Sequence, residues 1–279
     1  MKALFDTSSN KITKLITRKY STSFSMAVLL LGKQIRPHIY NIYGFVRLAD
    51  EIVDSFHDYD KEALMADFEA DYYKAISRGI SLNPVLNAFQ DTVRKFNIDD
   101  ELIQAFLSSM KRDLEQCDYN TYEDYKAYIY GSADVVGLMC LKVFVNGDQE
   151  QYEALKPYAE KLGSAFQKVN FLRDIKADTQ ELKRCYFPNL SDNTLTHETK
   201  QEIIADIEHD FDTALKGIKK LPINSKAGVY TAYVYYSKLL EKLKRAPYQD
   251  IMNKRIRVSN PVKLGLIARS FATVKLNIL

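Results

Sequence analysis

Residues 167–178 read QKVNFLRDIKAD, and this segment decides the fold prediction. Gln167, Asn170, Asp174 and Asp178 follow one another at helical spacing, which places them on one face of an α-helix. Asp and Asn are poor helix formers that prefer caps and turns. A helical face built from them indicates a functional site, and its hard oxygen atoms are ligands that Mg²⁺ prefers.

A second segment, YGFVRLADEIVD at residues 43–54, carries a similar face. Asp50 and Asp54 lie four residues apart, with Tyr43 and Arg47 on the preceding turns. Alone, this segment is most simply a solvated acidic stripe. Together, the two segments predict facing carboxylates that hold Mg²⁺, with Mn²⁺ as the alternative. Such a metal neutralises the charge on a departing diphosphate, and Arg47 and Arg173 lie close by in sequence.

The rest of the chain predicts an all-α protein with one domain over residues 1–279. Only 10 Gly and 7 Pro interrupt it, and no strand pattern is present. A short connector is expected at Asp148–Leu155 and a polar loop at Pro188–Glu198. The predicted helices are Ile35–Phe56, Lys61–Ile80, Val85–Asn97, Asp99–Cys117, Tyr122–Asn146, Pro157–Thr179, Lys200–Lys220, Lys226–Lys244 and Pro261–Thr273.

Composition and missing motifs exclude several functional classes. With 39 basic and 36 acidic residues, the charge balance does not indicate nucleic acid as a partner. The chain has no GxGxxG, GxxxxGK[ST], GxSxG or HExxH motif. Its four His are predicted to be surface or core-edge residues, and its three separated Cys to be reduced thiols. The apolar runs Met26–Leu31 and Val135–Leu141 are too short to span a bilayer, and no signal peptide is evident.

Several further motifs fall in a recognisable order. Residues 20–24 read YSTSF, residues 128–131 read YIYG, and residues 135–140 read VVGLMC. RCYFP at residues 184–188 follows the second acidic segment, and Tyr236, RIRVS at residues 255–259 and Lys263 come later. Together with the two acidic segments, these motifs resemble the squalene/phytoene synthase family over residues 15–266, with the first acidic segment most similar to phytoene synthases.

The resemblance implies an isoprenoid synthase helical fold around a central cavity. It implies that magnesium and diphosphate are held by Asp50, Asp54, Asn170, Asp174 and Asp178. It implies substrate contacts from Ser21, Ser23, Tyr43, Arg47, Gln167, Asn170, Arg173 and Tyr236. Ala177 departs from the acidic residue that is common before the last aspartate. Ser132 and Asp134 also depart from the family pattern, and we expect Asp134 to face away from the channel and to be exposed.

The implied reaction joins two geranylgeranyl diphosphates head to head through a cyclopropylcarbinyl diphosphate to give phytoene, without NADPH. Squalene or dehydrosqualene synthesis from farnesyl diphosphate is the main alternative. A non-catalytic assembly or binding factor is the second alternative, although it would have no reason to keep both acidic motifs. We expect a cytoplasmic protein. The basic residues between Lys254 and Lys275 either form an ordinary packed helix or contact a membrane peripherally.

Overall fold

The computed structural model describes residues 1–115, 119, 121–180, 184–190 and 194–279. These ranges contain helices and no β-strand, which confirms the all-α prediction. The helices are α1 (Lys2–Tyr20), α2 (Thr22–Val28), α3 (Arg36–Asp54), α4 (Lys61–Arg78), α5 (Pro84–Phe96), α6 (Asp100–Glu115), α7 (Tyr122–Ile129), α8 (Val135–Phe144), α9 (Gln149–Gln180), α10 (His197–Lys220), α11 (Ile223–Arg245), α12 (Tyr248–Asn253) and α13 (Asn260–Lys275).

Helix ends follow the capping residues in the sequence. Asn83 accepts from the backbone N–H of Val85 at 3.0 Å and precedes Pro84, which opens α5. Thr121 likewise accepts from the N–H of Asp124 at 3.1 Å at the start of α7. The predicted helix starts at Asn83-Pro84 and Thr121 are therefore confirmed. The end of the predicted helix Asp99–Cys117, including Cys117, lies outside the described residues.

α9 is longer than the sequence pattern predicts, and the connector expected at Asp148–Leu155 is wrong. The helix begins at Gln149 and continues through Pro157. Tyr152 and Leu155 are 2% and 5% exposed. Their burial against the core stabilises the turns that precede the proline, at a position where proline normally weakens a helix. α1, α2 and α12 were also not predicted.

α7 and α8 are joined by a π-helical turn at Tyr130–Asp134. The resulting helical run, Tyr122–Phe144, has 23 residues and is, by length and composition only, long and apolar enough to cross a membrane, so the apolar run Val135–Leu141 belongs to a longer apolar helix than the sequence indicated. However, 56% of its apolar stretch is buried inside the protein. Leu138 and Met139 are fully buried, as expected for a core helix.

The prediction that Asp134 is exposed is wrong. The residue is 8% exposed, and its carboxylate accepts from the Ser164 hydroxyl at 2.8 Å. The π-turn and α9 approach closely here, because a Cβ on Gly163 would lie 2.9 Å from the carbonyl oxygen of Ala133. Asp134 therefore points into this helix contact, and burial raises its pKa to about 7.

Two apolar clusters pack around α9. One joins α3, α5, α6 and α8, and the other joins α9, α10 and α11. His38, predicted at the surface or the core edge, is buried in the first cluster beside Thr92 and Phe96. Cys140 is half-buried and Cys185 is buried. The single domain over residues 1–279 stays a prediction.

Candidate active site

The acidic face of α3 carries its own counter-ion. Arg47 Nη1 donates to Asp50 Oδ2 at 2.6 Å, and the same guanidinium pairs with Glu51. Tyr20 donates from its hydroxyl to Glu51 at 3.1 Å, and the Arg47 guanidinium carbon lies 4.5 Å from the centre of the Tyr20 ring. Arg47 and Asp50 thus share one helical face, as their spacing predicts.

Arg184 links the far end of this face to the rest of the site. It is 7% exposed, and its Nη1 donates to Asp54 Oδ1 at 2.7 Å. Its Nη2 donates to the backbone carbonyl of Asp113 at 3.2 Å. The guanidinium therefore fixes the side chain of Asp54 from a segment that lies 130 positions later in the chain.

The acidic face of α9 is also paired with arginines. Asp174 Oδ1 accepts from Arg173 Nε at 2.9 Å, and Arg255 Nε lies 2.8 Å from the same oxygen. Asn170 Oδ1 accepts from the Tyr236 hydroxyl at 3.3 Å. The resemblance implied substrate contacts for Arg173 and Tyr236, and the structure brings both to the predicted face of α9.

The two acidic faces act on each other electrostatically. Burial and the charge of Asp54 raise the pKa of Asp50 to about 7. Burial, followed by the charges of Asp174 and Asp54, raises the pKa of Asp178 to about 8. Asp54 belongs to α3 and Asp178 to α9, so the two helices present their carboxylates to a common region. A cation there would favour the ionised carboxylates.

This donor set fits a hard divalent cation bound only in part by protein. The side chains offer carboxylate and amide oxygens, as Mg²⁺ and Mn²⁺ prefer. Within the described ranges, no three His, Cys, Asp or Glu side chains form a group able to hold a metal ion. Magnesium sites that use one or two carboxylates complete their shell with waters and substrate phosphates. The arrangement suits that kind of site better than an all-protein cage.

A cavity of about 510 Å³ runs along α9 away from these carboxylates. Its upper wall contains Ser21, Tyr43, Arg47, Gln167, Asn170, Arg173 and Tyr236. Its lower wall is apolar and includes Cys140, Phe144, Leu155, Tyr158 and Ile218. The cavity is therefore polar at one end and apolar at the other, as expected for a ligand with a charged head group and an apolar chain.

Aromatic rings line the polar end of the cavity. The Phe24 and Tyr43 rings stack with centroids 4.8 Å apart, and the Phe166 and Tyr236 rings stack at 4.1 Å. Burial raises the pKa of Tyr43 to about 12, so its hydroxyl remains protonated and neutral. These ring faces offer a region of negative potential without a titrating anion.

A second pocket, of about 540 Å³, forms the mouth of the site. Ser21 and Ser23 of the YSTSF motif line it, together with Arg173, Arg255, Arg257 and Lys263. Ser23 lines this mouth pocket and not the main cavity. The four cations around one opening suit an anionic head group.

The remaining carboxylates occupy different places around the site. Asp50 lines a third pocket of about 170 Å³ with Tyr43, Arg47 and Gln167. Asp54 and Asp174 line none of these three pockets and are held in ion pairs. Asp178 lies beside a much smaller recess with Arg184.

The sequence interpretation missed one polar network next to the site. Asp113 is 7% exposed and accepts from the hydroxyls of Tyr119 at 2.8 Å and Tyr128 at 2.5 Å. The Tyr186 ring stacks on Phe171 at 4.1 Å and on Tyr128 at 5.1 Å. The motifs YIYG and RCYFP contain Tyr128 and Tyr186, but Asp113 belongs to no motif, and only the fold reveals it.

Known proteins resemble this chain in sequence and in fold. The sequence model of the squalene/phytoene synthase family matches residues 17–261. The chain belongs to the squalene/phytoene synthase family, and it is a prenyltransferase.

Two phytoene synthases show how similar individual relatives are in sequence. The phytoene synthase of Arthrospira platensis is 28% identical over 276 residues, which covers 90% of this chain and 88% of the relative. The 15-cis-phytoene synthase of Synechocystis sp. is 27% identical over 282 residues, covering 91% of this chain and 82% of the relative.

Solved structures establish the fold class. A dehydrosqualene synthase crystal structure superimposes with a TM-score of 0.84 at 21% identity, covering 97% of this chain and 98% of that one. A squalene synthase from Alicyclobacillus acidocaldarius gives a TM-score of 0.74 at 22% identity, covering 85% of this chain and 94% of that one. The predicted isoprenoid synthase helical fold is therefore confirmed.

Proposed function

We propose that the protein condenses two geranylgeranyl diphosphates head to head to give phytoene, for carotenoid biosynthesis. The observation that carries this proposal is the depth of the main cavity. One allylic diphosphate ionises and releases its diphosphate, and the resulting cation alkylates the double bond of the second molecule. Loss of a proton then closes the cyclopropane ring and gives a cyclopropylcarbinyl diphosphate. That intermediate loses its own diphosphate, rearranges and releases a proton. Both prenyl chains must lie in an apolar space throughout.

The cavity is long enough for a geranylgeranyl chain. Asn170 and Leu155 both line it on α9 and are 15 residues apart, which is about 22 Å along the helix. Since an extended backbone advances about 1.2 Å per bond, the sixteen-carbon backbone of a geranylgeranyl chain spans roughly 18 Å. By the same measure, the twelve-carbon farnesyl backbone spans roughly 13 Å and leaves about 9 Å of the cavity unfilled, more than one and a half helical turns.

The polar end provides the groups that hold a diphosphate. Asp50, Asp54, Asn170, Asp174 and Asp178 are proposed to bind Mg²⁺, or Mn²⁺ in its place, which would neutralise charge on the departing diphosphate. Arg47 and Arg173 donate hydrogen bonds beside these carboxylates, and Arg255 approaches from the mouth. Because arginines present planar forks, they suit phosphate oxygens.

The aromatic rings at the polar end of the cavity provide an environment for a carbocation. The stacked pairs Phe24–Tyr43 and Phe166–Tyr236 offer ring faces along its wall. A cation over such a face gains roughly 0.5–2 kcal/mol, more when water is excluded. The apolar wall below them keeps water away, and water would otherwise capture the cation as an alcohol.

The alternative is a farnesyl substrate. The dehydrosqualene and squalene synthases share the fold, so the fold alone does not indicate the length of the prenyl chain of the substrate. Cavity depth and the similarity to phytoene synthases both favour the longer chain. We propose that no NADPH is used, because phytoene forms by proton loss without a reduction step.

A metal- and carboxylate-dependent assay tests this proposal. Purified protein with geranylgeranyl diphosphate should release phytoene with Mg²⁺ and none with excess EDTA. Asp50→Ala and Asp174→Ala should reduce turnover by at least about a thousandfold, since each removes a proposed ligand of the Mg²⁺ that would neutralise the departing diphosphate. Asp71→Ala, which changes an exposed carboxylate on α4, is the matched control and should be fully active. Full activity of Asp174→Ala would contradict the assignment.

We propose a cytoplasmic location, where thiols such as Cys140 and Cys185 stay reduced. A tagged chain expressed in its host should appear in the cytoplasmic compartment after fractionation, including the fraction attached to the inner face of the membrane. Recovery of folded protein outside the cytoplasm would overturn this proposal.

A further inference from the structure

α1 packs against the protein with its polar side. Ser9, Thr13 and Thr17 are 0% exposed, and they recur at helical spacing along one face. Thr13 Oγ1 donates to Asn41 Oδ1 at 2.6 Å. Asn87 Nδ2 donates to Asp6 Oδ1 at 3.0 Å. α1 is therefore held on α3 and α5 by side-chain hydrogen bonds, the reverse of a normal surface helix.

The opposite side of α1 carries large apolar residues into solvent. Leu4 is 72% exposed, Leu15 is 55% exposed and Ile12 is 37% exposed. Leu4 and Leu15 are eleven residues apart, which is three helical turns, so they lie on one stripe. Since the polar face already fixes the helix to the core, the stripe has no packing role in the described part of the chain.

Cations surround this stripe. Lys11, Lys14, Arg18 and Lys19 are all exposed, and across the described ranges none of them forms an ion pair. The only acid on α1, Asp6, is paired with Lys2 at 2.9 Å. The outward face therefore combines an apolar stripe with uncompensated positive charge, the composition of helices that lie in an anionic lipid surface.

The position of α1 connects this face to the substrate path. α1 ends at Tyr20, and Tyr20 and Ser21 line both the mouth pocket and the main cavity. α13 begins at the same mouth, where Asn260 and Lys263 line the pocket. Leu264 on α13 is 60% exposed, so apolar residues are exposed on both helices that adjoin the opening.

We propose that the outward face of α1 docks the protein on an anionic lipid bilayer, with the cavity mouth beside the membrane. The apolar stripe inserts among the lipid chains, and the four cations contact lipid phosphates. The expectation from the sequence placed membrane contact in the basic region Lys254–Lys275. α1 is the better element, because the apolar residues of its stripe are exposed and the cations beside them form no ion pair within the described residues, whereas α13 packs on α11 and buries Val274.

Vesicle flotation tests the proposal with the full chain. Protein is mixed with vesicles of equal parts phosphatidylcholine and phosphatidylglycerol, and separately with pure phosphatidylcholine, at low salt. It should float with the anionic vesicles and much less with the neutral ones, and added salt should reduce binding. Lys11→Glu/Lys14→Glu should weaken binding by at least about tenfold, because each juxtamembrane cation contributes separately.

Matched variants separate docking from general charge and from misfolding. Lys216→Glu/Lys219→Glu makes the same charge change on α10, at exposed positions on a helix that does not pack on α1, and should float like the unaltered protein. Leu4→Ser/Leu15→Ser should lose binding while its thermal unfolding is unchanged. All variants should turn over detergent-dispersed substrate normally, since none touches the cavity.

Three results would overturn the proposal. The first is equal flotation of the α1 variants and the unaltered protein. The second is no flotation of the unaltered protein on anionic vesicles. The third is a dimer in solution that Leu4→Ser/Leu15→Ser converts to a monomer without any change in flotation, which would assign the stripe to a second copy of the chain. Flotation needs no catalysis, so failure of the proposed reaction leaves this test intact.

Discussion

Ala159→Phe should change the chain-length preference of the enzyme. Ala159 lines the main cavity on α9, one turn above Leu155 at the apolar end. The substitution adds six side-chain carbons to this wall, and one isoprene unit contains five. The added ring should exclude the last isoprene unit of a geranylgeranyl chain from the cavity, whereas a shorter farnesyl chain should still fit.

The magnitude follows from the buried carbons. At about 0.8 kcal/mol per buried carbon, expelling five carbons from the cavity costs up to ~4 kcal/mol. Local adjustment of side chains recovers part of this, so we expect geranylgeranyl diphosphate to lose about 3 kcal/mol of binding free energy. The ratio of kcat/KM for geranylgeranyl over farnesyl diphosphate should therefore fall by roughly two orders of magnitude.

Steady-state kinetics with each substrate alone gives this ratio. Ala154→Phe is the matched control, because Ala154 is exposed on the same helix and does not line the cavity. The control should keep the ratio of the unaltered enzyme. If Ala159→Phe is folded and active but its ratio is unchanged, the depth argument is refuted and chain length must be set elsewhere.

Three further predictions concern stability. Arg184→Leu should lose about 2–3 kcal/mol of unfolding free energy in urea without metal, because Asp54 and Asp113 lose their shared guanidinium; a loss below 0.5 kcal/mol would contradict this. Gly163→Ala should lower the free energy of unfolding by about 1–3 kcal/mol, since the added Cβ would meet the backbone of Ala133. Its control is Gly265→Ala, where an added Cβ meets nothing within 4 Å, and this change should leave the free energy of unfolding unchanged or raise it. His38 has its pKa lowered to about 4 by burial, then by Lys95, so below its unfolded pKa of about 6.5 the unfolded chain binds the extra proton. Stability should therefore fall by about 1–2 kcal/mol between pH 7 and pH 5, and His38→Gln should remove that part of the loss in pH-dependent denaturation; an unchanged pH slope in the variant would count against it.

The parts of the site that share one helix could be predicted from the sequence. Asp50 and Arg47, or Asn170 and Asp174, are related by helical spacing alone. Arg184 pairs with Asp54 across 130 positions, and no local pattern contains that information. The contact of Arg255 with Asp174 and the network around Asp113 depend on the fold in the same way.

Physical reasons explain why the sequence pattern did not predict α1 or the full length of α9. α1 buries Ser9, Thr13 and Thr17 and exposes leucines, so hydrophobic periodicity identifies no inward apolar face. α9 continues through Pro157 because Tyr152 and Leu155 are buried on the turns before it. The prediction that a helix starts at Pro157 rests on local sequence alone, so it could not take that tertiary packing into account. The exposure of Asp134 was mispredicted for a similar reason, because Ser164 and Gly163 on another helix determine its surroundings.

A competition experiment tests the central claim most directly. The enzyme would be given equal amounts of geranylgeranyl and farnesyl diphosphate with Mg²⁺ and no NADPH, and the extracted hydrocarbons would be identified by mass spectrometry. The depth of the cavity and the paired carboxylate faces predict phytoene, with forty carbons, as the dominant product. A dominant thirty-carbon product would contradict the substrate assignment, whereas the assignment of the active-site residues would still hold. The absence of any hydrocarbon from folded protein would contradict the proposed reaction itself.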